Sequence, residues 1–231
     1  MQARPPSPAA SVSALPPPAH RRLRRALSLL SALLAAATAD RAVAFTATLD
    51  PAAPLTVYLQ VGVGSFTNDY IYGGQPQNNT TINTVSVSVA SSVLGNGTAQ
   101  SMTTNSTAAQ SYWDGYTFCS VPGQLYIGGF YRTTGAATAA AQVTATVPAA
   151  LTDATGDSLP FSKIHWTSSG NGDSGAEPFP AGTFVNGGVQ TVGSMASNTW
   201  NESCWTFTYL NNSVPPAGTF TGVVLYTLSA P

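Results

Sequence analysis

The stretch CWTFTYL, Cys204–Leu210, sets Trp205, Phe207 and Tyr209 against Cys204, Thr206, Thr208 and Leu210 in strict alternation. Successive side chains of an extended chain point to opposite faces, so a period of two gathers the three aromatic rings on one side. On a helix Phe207 would face away from Trp205 and Tyr209, and the threonines would weaken the helix further. The stretch therefore reads as a strand with one face in a core.

The same period recurs along the chain. TVYLQV, from Thr56, puts Val57, Leu59 and Val61 on one face. TINTVSVSV, from Thr81, alternates Val85, Val87 and Val89 with Thr84, Ser86 and Ser88. AQVTATV alternates Val143, Ala145 and Val147, and TFTGVVLYTL alternates Phe220, Val224, Tyr226 and Leu228, with Gly222 inside the series. Apolar residues inward with threonine and serine outward mark half-buried antiparallel strands. Gly, Asn, Pro and Asp clusters separate the runs. AATAAAQVTA, from Ala136, has helix-forming alanines, but its threonines, with Gly135 and Pro148 nearby, read as strand. About ten such runs predict an all-β chain, and that number favours an antiparallel two-sheet sandwich over a small barrel. PAGTF occurs at Pro180–Phe184 and again at Pro216–Phe220, each read as a turn that opens a strand. PAALTDATGDSLP, Pro148–Pro160, reads as a long loop.

The first residues have a different character. HRRLRR, His20–Arg25, is followed by ALSLLSALLAAATA, Ala26–Ala39, which is mostly apolar and uncharged. A basic region, a short apolar run and small residues in this order read as a secretory signal peptide over residues 1–44, cleaved after Ala44 or Ala39. The apolar run is shorter than the roughly 20 residues a membrane helix needs, so no transmembrane anchor is expected in the mature chain. The expected location is secreted: periplasmic, outer surface or extracellular. The Ala- and Arg-biased leader and the single lysine of the chain point to a GC-rich, bacterial genome.

Removing residues 1–44 leaves 187 residues in one domain, 45–231, with Arg132 and Lys163 as the only Lys or Arg side chains against eight acids, a net charge of −6. Two cations cannot neutralise a nucleic-acid backbone, so nucleic acid is not an expected partner, and no polybasic membrane patch exists. Cys119 and Cys204 are the only cysteines. In an oxidising compartment an even count predicts a disulfide between them.

Groups for catalysis are sparse. GDSG, Gly172–Gly175, resembles the nucleophile loop of chymotrypsin-like serine proteases. A serine nucleophile needs a base and a group that orients the base. The only histidine past the leader is His165, nine residues before Ser174 and in a strand pattern, so the tetrapeptide reads as a hairpin loop. The glutamates Glu177 and Glu202 are the remaining acid–base candidates of glycosidase type. Asp153 with Asp157, and Asp173 with Glu177, read as solvated turn acids, since their spacing does not match a calcium loop. No metal site, no cofactor and no catalytic residue is expected.

SYWDGYTF clusters Tyr112, Trp113 and Tyr116 around Asp114, and NDYIYGG adds Tyr70 and Tyr72. Exposed rings beside Asp can stack on sugars and bind their hydroxyls, which makes Tyr112, Trp113, Asp114 and Tyr116 a candidate glycan platform; the leading reading of the same rings is that they fill the core and cap strand ends. Sequons stand at Asn78, Asn79, Asn96, Asn105, Asn201 and Asn211.

The closing stretch PAGTFTGVVLYTLSAP resembles the C-terminal strand of bacterial secreted pilin-like proteins, the fimbrial subunits and the spore coat protein U group. Gly218, Phe220, Val224, Tyr226 and Leu228 occupy the places of that strand's glycine and alternating apolar residues. The resemblance covers these last sixteen residues, and Ala230 stands where fimbrial subunits carry an aromatic. It implies an Ig-like or related β-sandwich, a structural or adhesive role at the cell surface, and partners joined by strand addition: identical or related subunits, or a periplasmic chaperone. AFTATL, Ala44–Leu49, is a candidate donor segment. The alternative is a lectin-like carbohydrate-binding module, and a secreted hydrolase is third.

Overall fold

The computed structural model describes Leu49 and residues 56–67, 75–77, 79–135, 139–173 and 175–231. The expected leader, residues 1–44, with both expected cleavage positions, and Phe45–Thr48, Tyr70, Tyr72, Asn78 and Ser174 lie outside the described residues. Everything described belongs to the unit Val43–Pro231.

The fold is all-β, and every ladder between its strands is antiparallel. Strands are numbered in chain order. The larger sheet runs β1 (Val57–Val61), β7 (Leu125–Tyr131), β14 (Asn201–Tyr209), β11 (Ile164–Ser169), β12 (Gly182–Thr183). β5 (Gln100–Ser101) takes the edge of β14 beyond the point where β7 ends. The smaller sheet has three strands in the order β13 (Gly188–Met195), β8 (Ala141–Val147), β15 (Leu225–Ser229). Three short hairpin-like pairs complete the set: β2 (Phe66–Thr67) with β3 (Gln75–Pro76), β4 (Val85–Ser86) with β6 (Thr103–Thr104), and β9 (Ala150–Thr152) with β10 (Ser158–Pro160). Among the described residues the only helical element is a 3-10 turn at Phe161–Lys163.

Both sheets feed one core. Leu125, Ile127, Trp166, Trp205, Phe207 and Tyr209 of the larger sheet cluster with Val143, Ala145, Val147, Val192 and Met195 of the smaller. Trp166 and Trp205 lie with ring centroids 5.2 Å apart, and each buried indole N–H is satisfied by the same connecting segment. Trp166 donates to the Pro180 carbonyl and Trp205 to the Phe179 carbonyl, both at 2.9 Å. Such partners are what a buried indole requires. Gly182 follows directly in that segment because a methyl group there would come within 2.6 Å of the Trp166 ring. This is the first PAGTF copy, and it opens β12. The second copy leads instead into a single antiparallel bridge, Thr221 with Thr152, and β15 begins only at Leu225.

The alternation of Ala141–Val147 is realised residue by residue, with Ala141, Val143, Ala145 and Val147 buried and Gln142 and Thr146 exposed. Val85, Val87 and Val89 also alternate inward, yet only Val85–Ser86 forms a ladder. β1 departs from its expected pattern. Leu59 and Val61 pack on the main core, but Val57 is exposed, while Tyr58 and Gln60 on the opposite face are buried. The reason is a second cluster behind the sheet, in which Tyr58 meets Leu49, Phe130 and Trp200. Leu49 is 1% exposed and its amide bonds to the Asn198 carbonyl, so this end of the candidate donor segment packs within its own domain. The stretch Pro148–Pro160 is not a simple loop but the β9–β10 hairpin. Its turn is organised by Asp153, which accepts from the Thr155 and Asp157 amides.

Several sequons are turn devices. In Asn79–Thr81 and Asn96–Thr98 the asparagine Oδ1 accepts the amide of the threonine two residues on, at 3.0 and 2.8 Å. This is the Asx turn that favours Asn before Thr on local grounds. Asn211 is fully buried at φ +46° and accepts from the Gly95 amide while donating to the Val93 carbonyl.

Candidate functional site

The disulfide predicted from the cysteine count is present, Cys119–Cys204 with Cα atoms 5.5 Å apart. It ties the loop Gln110–Ser120 to the middle of β14 and is buried with Ala108, Phe118 and Tyr126. The sequence separation of 85 residues is bridged here because Cys204 pairs with Tyr126 in the β14–β7 ladder, beneath that loop.

The tie brings SYWDGYTF next to NTWNESC. Tyr112 lies on Tyr126 with centroids 5.4 Å apart, and Trp113 on Trp200 at 6.3 Å. Both rings are half-buried, so they serve the second cluster and the disulfide cluster rather than forming an open platform. Tyr116 is different, at 66% exposed. Its backbone is fixed by a short pairing in which Ser111 donates to the Tyr116 carbonyl at 2.7 Å, and by the Asp114 carboxylate, which accepts the Tyr116 amide at 2.9 Å. Gly115, at φ +76°, makes the turn between them. Of the four candidate platform residues, Asp114 and Tyr116 therefore face solvent.

The loop that contains Gly172 and Asp173 comes alongside. The side-chain amide of Asn171 donates to the Phe118 carbonyl at 2.5 Å, and Gly172 lies against the edge of the Tyr116 ring. Glu177 accepts from the Ser203 hydroxyl at 2.8 Å. Next to Ser203, Glu202 accepts from the Tyr126 hydroxyl at 2.6 Å and from the Trp200 indole at 2.9 Å. Burial pushes the Glu202 carboxyl above its ordinary pKa, with Asp173 adding to the rise. Burial does the same to Asp173, helped by the charge of Asp114. The Tyr126 hydroxyl is driven well above its ordinary value by burial and by Glu202, so it stays a neutral donor. The two basic side chains past the leader lie elsewhere: Arg132 is buried over the Phe130 ring, and Lys163 bonds to Asn212.

Asp114, Asp173, Glu177 and Glu202 thus gather at one end of β7 and β14. From the sequence they were separate, three as turn acids or glutamate candidates and one as a platform residue. The disulfide joins Asp114 to Glu202, because residues just before Cys119 and just before Cys204 must then be neighbours, and the pairing of Ser169 with Cys204 brings the loop with Asp173 and Glu177 alongside. A groove of about 530 Å³ runs beside this region, lined by Thr107–Tyr112 and Thr117. His165 sits at the far end of β11 from the Gly172 loop, about 15 Å of strand away, where its Nδ1 meets the Thr183 hydroxyl at 3.0 Å. Among the described residues no three His, Cys, Asp or Glu side chains converge as metal ligands, and no helix is long and apolar enough to cross a membrane.

Comparison of the chain with known protein families, curated proteins and solved structures finds no match. Function must be argued from the residues themselves.

The terminal strand is the second candidate region. Phe220, Val224, Tyr226 and Leu228 all pack on the main core, as their alternation required, and Tyr226 stands over Trp205 at 5.9 Å. Gly218 lies against the Asp153 carboxylate of the β9–β10 turn. β15 pairs with β8 on one side, and among the described residues no strand pairs with its other edge. β1, the edge of the larger sheet, runs close to β15 without forming a ladder with it.

Proposed function

We propose that this chain is an exported, non-catalytic subunit of a cell-surface or fimbria-like assembly, built as an Ig-like or related β-sandwich. The observation that carries the reading is the terminal strand. β15 has its inward residues committed to the core, and among the described residues no strand pairs with its outer edge, which lies beside an edge strand of the other sheet that it does not zip to. A row of free N–H and C=O groups on an alternating strand is what another extended chain pairs with. The resemblance of PAGTFTGVVLYTLSAP to pilin-like terminal strands points the same way. The partners are identical or related subunits, or a periplasmic chaperone.

The test is export of the full chain to a bacterial periplasm, followed by non-reducing size analysis and mass spectrometry. A ladder of non-covalent oligomers that survives mild denaturant is the expected result. A stable monomer that joins no copy and needs no chaperone overturns it.

One observation favours a second reading. Tyr116 is an exposed ring on a turn whose backbone amide bonds to the Asp114 carboxylate, which suits stacking on a sugar. As a lectin-like module the protein would give a glycan-array signal that Tyr116→Ala removes. An array without signal rejects this reading.

A further inference from the structure

Asparagine is followed by glycine at Asn96–Gly97, Asn171–Gly172 and Asn186–Gly187. Such pairs are open to self-modification, because glycine has no Cβ to shield its backbone nitrogen. That nitrogen attacks the asparagine Cγ. A C–N bond forms, the bond to the side-chain nitrogen breaks, and the glycine amide proton leaves with that nitrogen as ammonia. Water then opens the cyclic imide to aspartate or to its isomer, isoaspartate.

All three asparagines are exposed, so access to water does not rank them. The state of the glycine amide does. Gly97 donates its N–H to the Asn211 carbonyl at 2.9 Å, and Gly187 to the Pro148 carbonyl at 3.0 Å. A nitrogen held in this way turns onto the neighbouring Cγ only by giving up its bond. The Oδ1 atoms of these two pairs are engaged as well. Asn96 accepts the Thr98 amide and Asn186 the Ser162 amide, both at 2.8 Å. Among the described residues nothing accepts from the Gly172 amide, which sits in an exposed turn with φ +112°. The bonds at Asn171 are made instead by Nδ2, the atom that leaves. It donates to the Phe118 carbonyl at 2.5 Å and to Gln124 Oε1 at 3.2 Å.

We propose that Asn171–Gly172 is a self-modification site, and that its conversion unclasps the loop at residues 170–173 from the disulfide loop. The two Nδ2 bonds are the clasp. An ionised aspartate only accepts, so it would meet the Phe118 carbonyl and Gln124 Oε1 oxygen to oxygen. Gln124 is not free to turn its own amide round. Its Oε1 accepts the Ser120 amide, and its Nε2 donates to the Ser169 and Thr206 hydroxyls. The new charge also stands close in sequence to Asp173, which already feels the charge of Asp114. Gly172, now against the edge of the Tyr116 ring, would leave with the loop.

The test is peptide mapping by mass spectrometry of the exported chain, aged in mildly alkaline buffer both folded and in denaturant. In denaturant the three pairs should convert at similar rates. In the folded chain Asn171 is expected to convert at least several-fold faster than Asn96 and Asn186. Equal rates in the fold, or faster conversion at either of the other pairs, overturns the site. The clasp is read by hydrogen exchange over residues 110–120 in wild type and Asn171→Asp. Exchange at least several-fold faster in the variant is expected, and unchanged exchange overturns the unclasping.

Discussion

The larger sheet carries Trp166, Trp205, Phe207, Tyr126 and the disulfide, with indole N–H groups bonded to the Phe179–Pro180 segment. The smaller sheet fills its side of the same core with Ala141, Val143, Ala145 and Val147, and leaves valine, leucine and threonine facing out. Large rings supply most of the buried area on one side, and small residues let the other side approach closely. One sheet therefore holds most of the aromatic packing of the core, while the other keeps uncharged valine, leucine and threonine facing solvent. The two edges of the smaller sheet differ as well. β13 has a register shift between Thr191 and Gly193, and Ser194 donates to the Pro178 carbonyl, which covers that edge. β15 has neither device, and a bulge or cover is how sheets block unwanted pairing.

The comparison can be broken most directly at Trp205, which is fully buried. Trp205→Ala is expected to cost about 3–5 kcal/mol in chemical denaturation, from the lost ring and the orphaned Phe179 carbonyl. A cost near that of a surface change would mean that the larger sheet is not the stabilising one. Replacing both Cys119 and Cys204 with alanine should lower stability by about 2–5 kcal/mol, read from the urea midpoint under non-reducing conditions.

A smaller effect concerns pH. Glu202 has a folded-state pKa raised above its unfolded value, so the folded chain binds more protons through that window. The stability it contributes is complete below the ordinary carboxylate range and is lost as pH rises through the folded pKa. Glu202→Gln should flatten that decline, while its Oε1 still accepts from Tyr126 and Trp200. Asp153 has the opposite sign. Desolvation raises its carboxyl, but hydrogen bonds from the Thr155 hydroxyl and from the amides of Thr155, Asp157 and Gly156 outweigh this and hold it low. Its contribution is present above the unfolded pKa and lost as pH falls through the folded one. Thermal melts of wild type and Glu202→Gln across the acid range distinguish the two slopes.

The smallest stability change is expected from Val189→Lys with Leu225→Lys, within about 0.5 kcal/mol by denaturation, because both side chains already face solvent. A large loss of stability would show that the outer face of the smaller sheet belongs to the packing of the fold.

Where a strand buries one face the period of two was enough by itself, whereas β7, Leu125–Tyr131, is buried at every position and shows no such period. Ala141–Val147, Cys204–Tyr209 and the Phe220–Leu228 series point where their alternation says, because side-chain direction in a strand is a local property of the backbone. The cysteine count likewise led to the correct pair. Other features were decided only by tertiary structure. Gln60 and Tyr58 are buried because Leu49, Phe130 and Trp200 converge behind β1 from remote parts of the chain. Tyr112 and Trp113 turn inward, and Tyr116 outward, because the disulfide lays their loop over Tyr126 and Trp200. The gathering of Asp114, Asp173, Glu177 and Glu202 adds to this tie the β11–β14 ladder, which sets Ser169 opposite Cys204. Which edge of a sheet stays open depends on the order in which strands pair, and that order is a long-range choice no local period records.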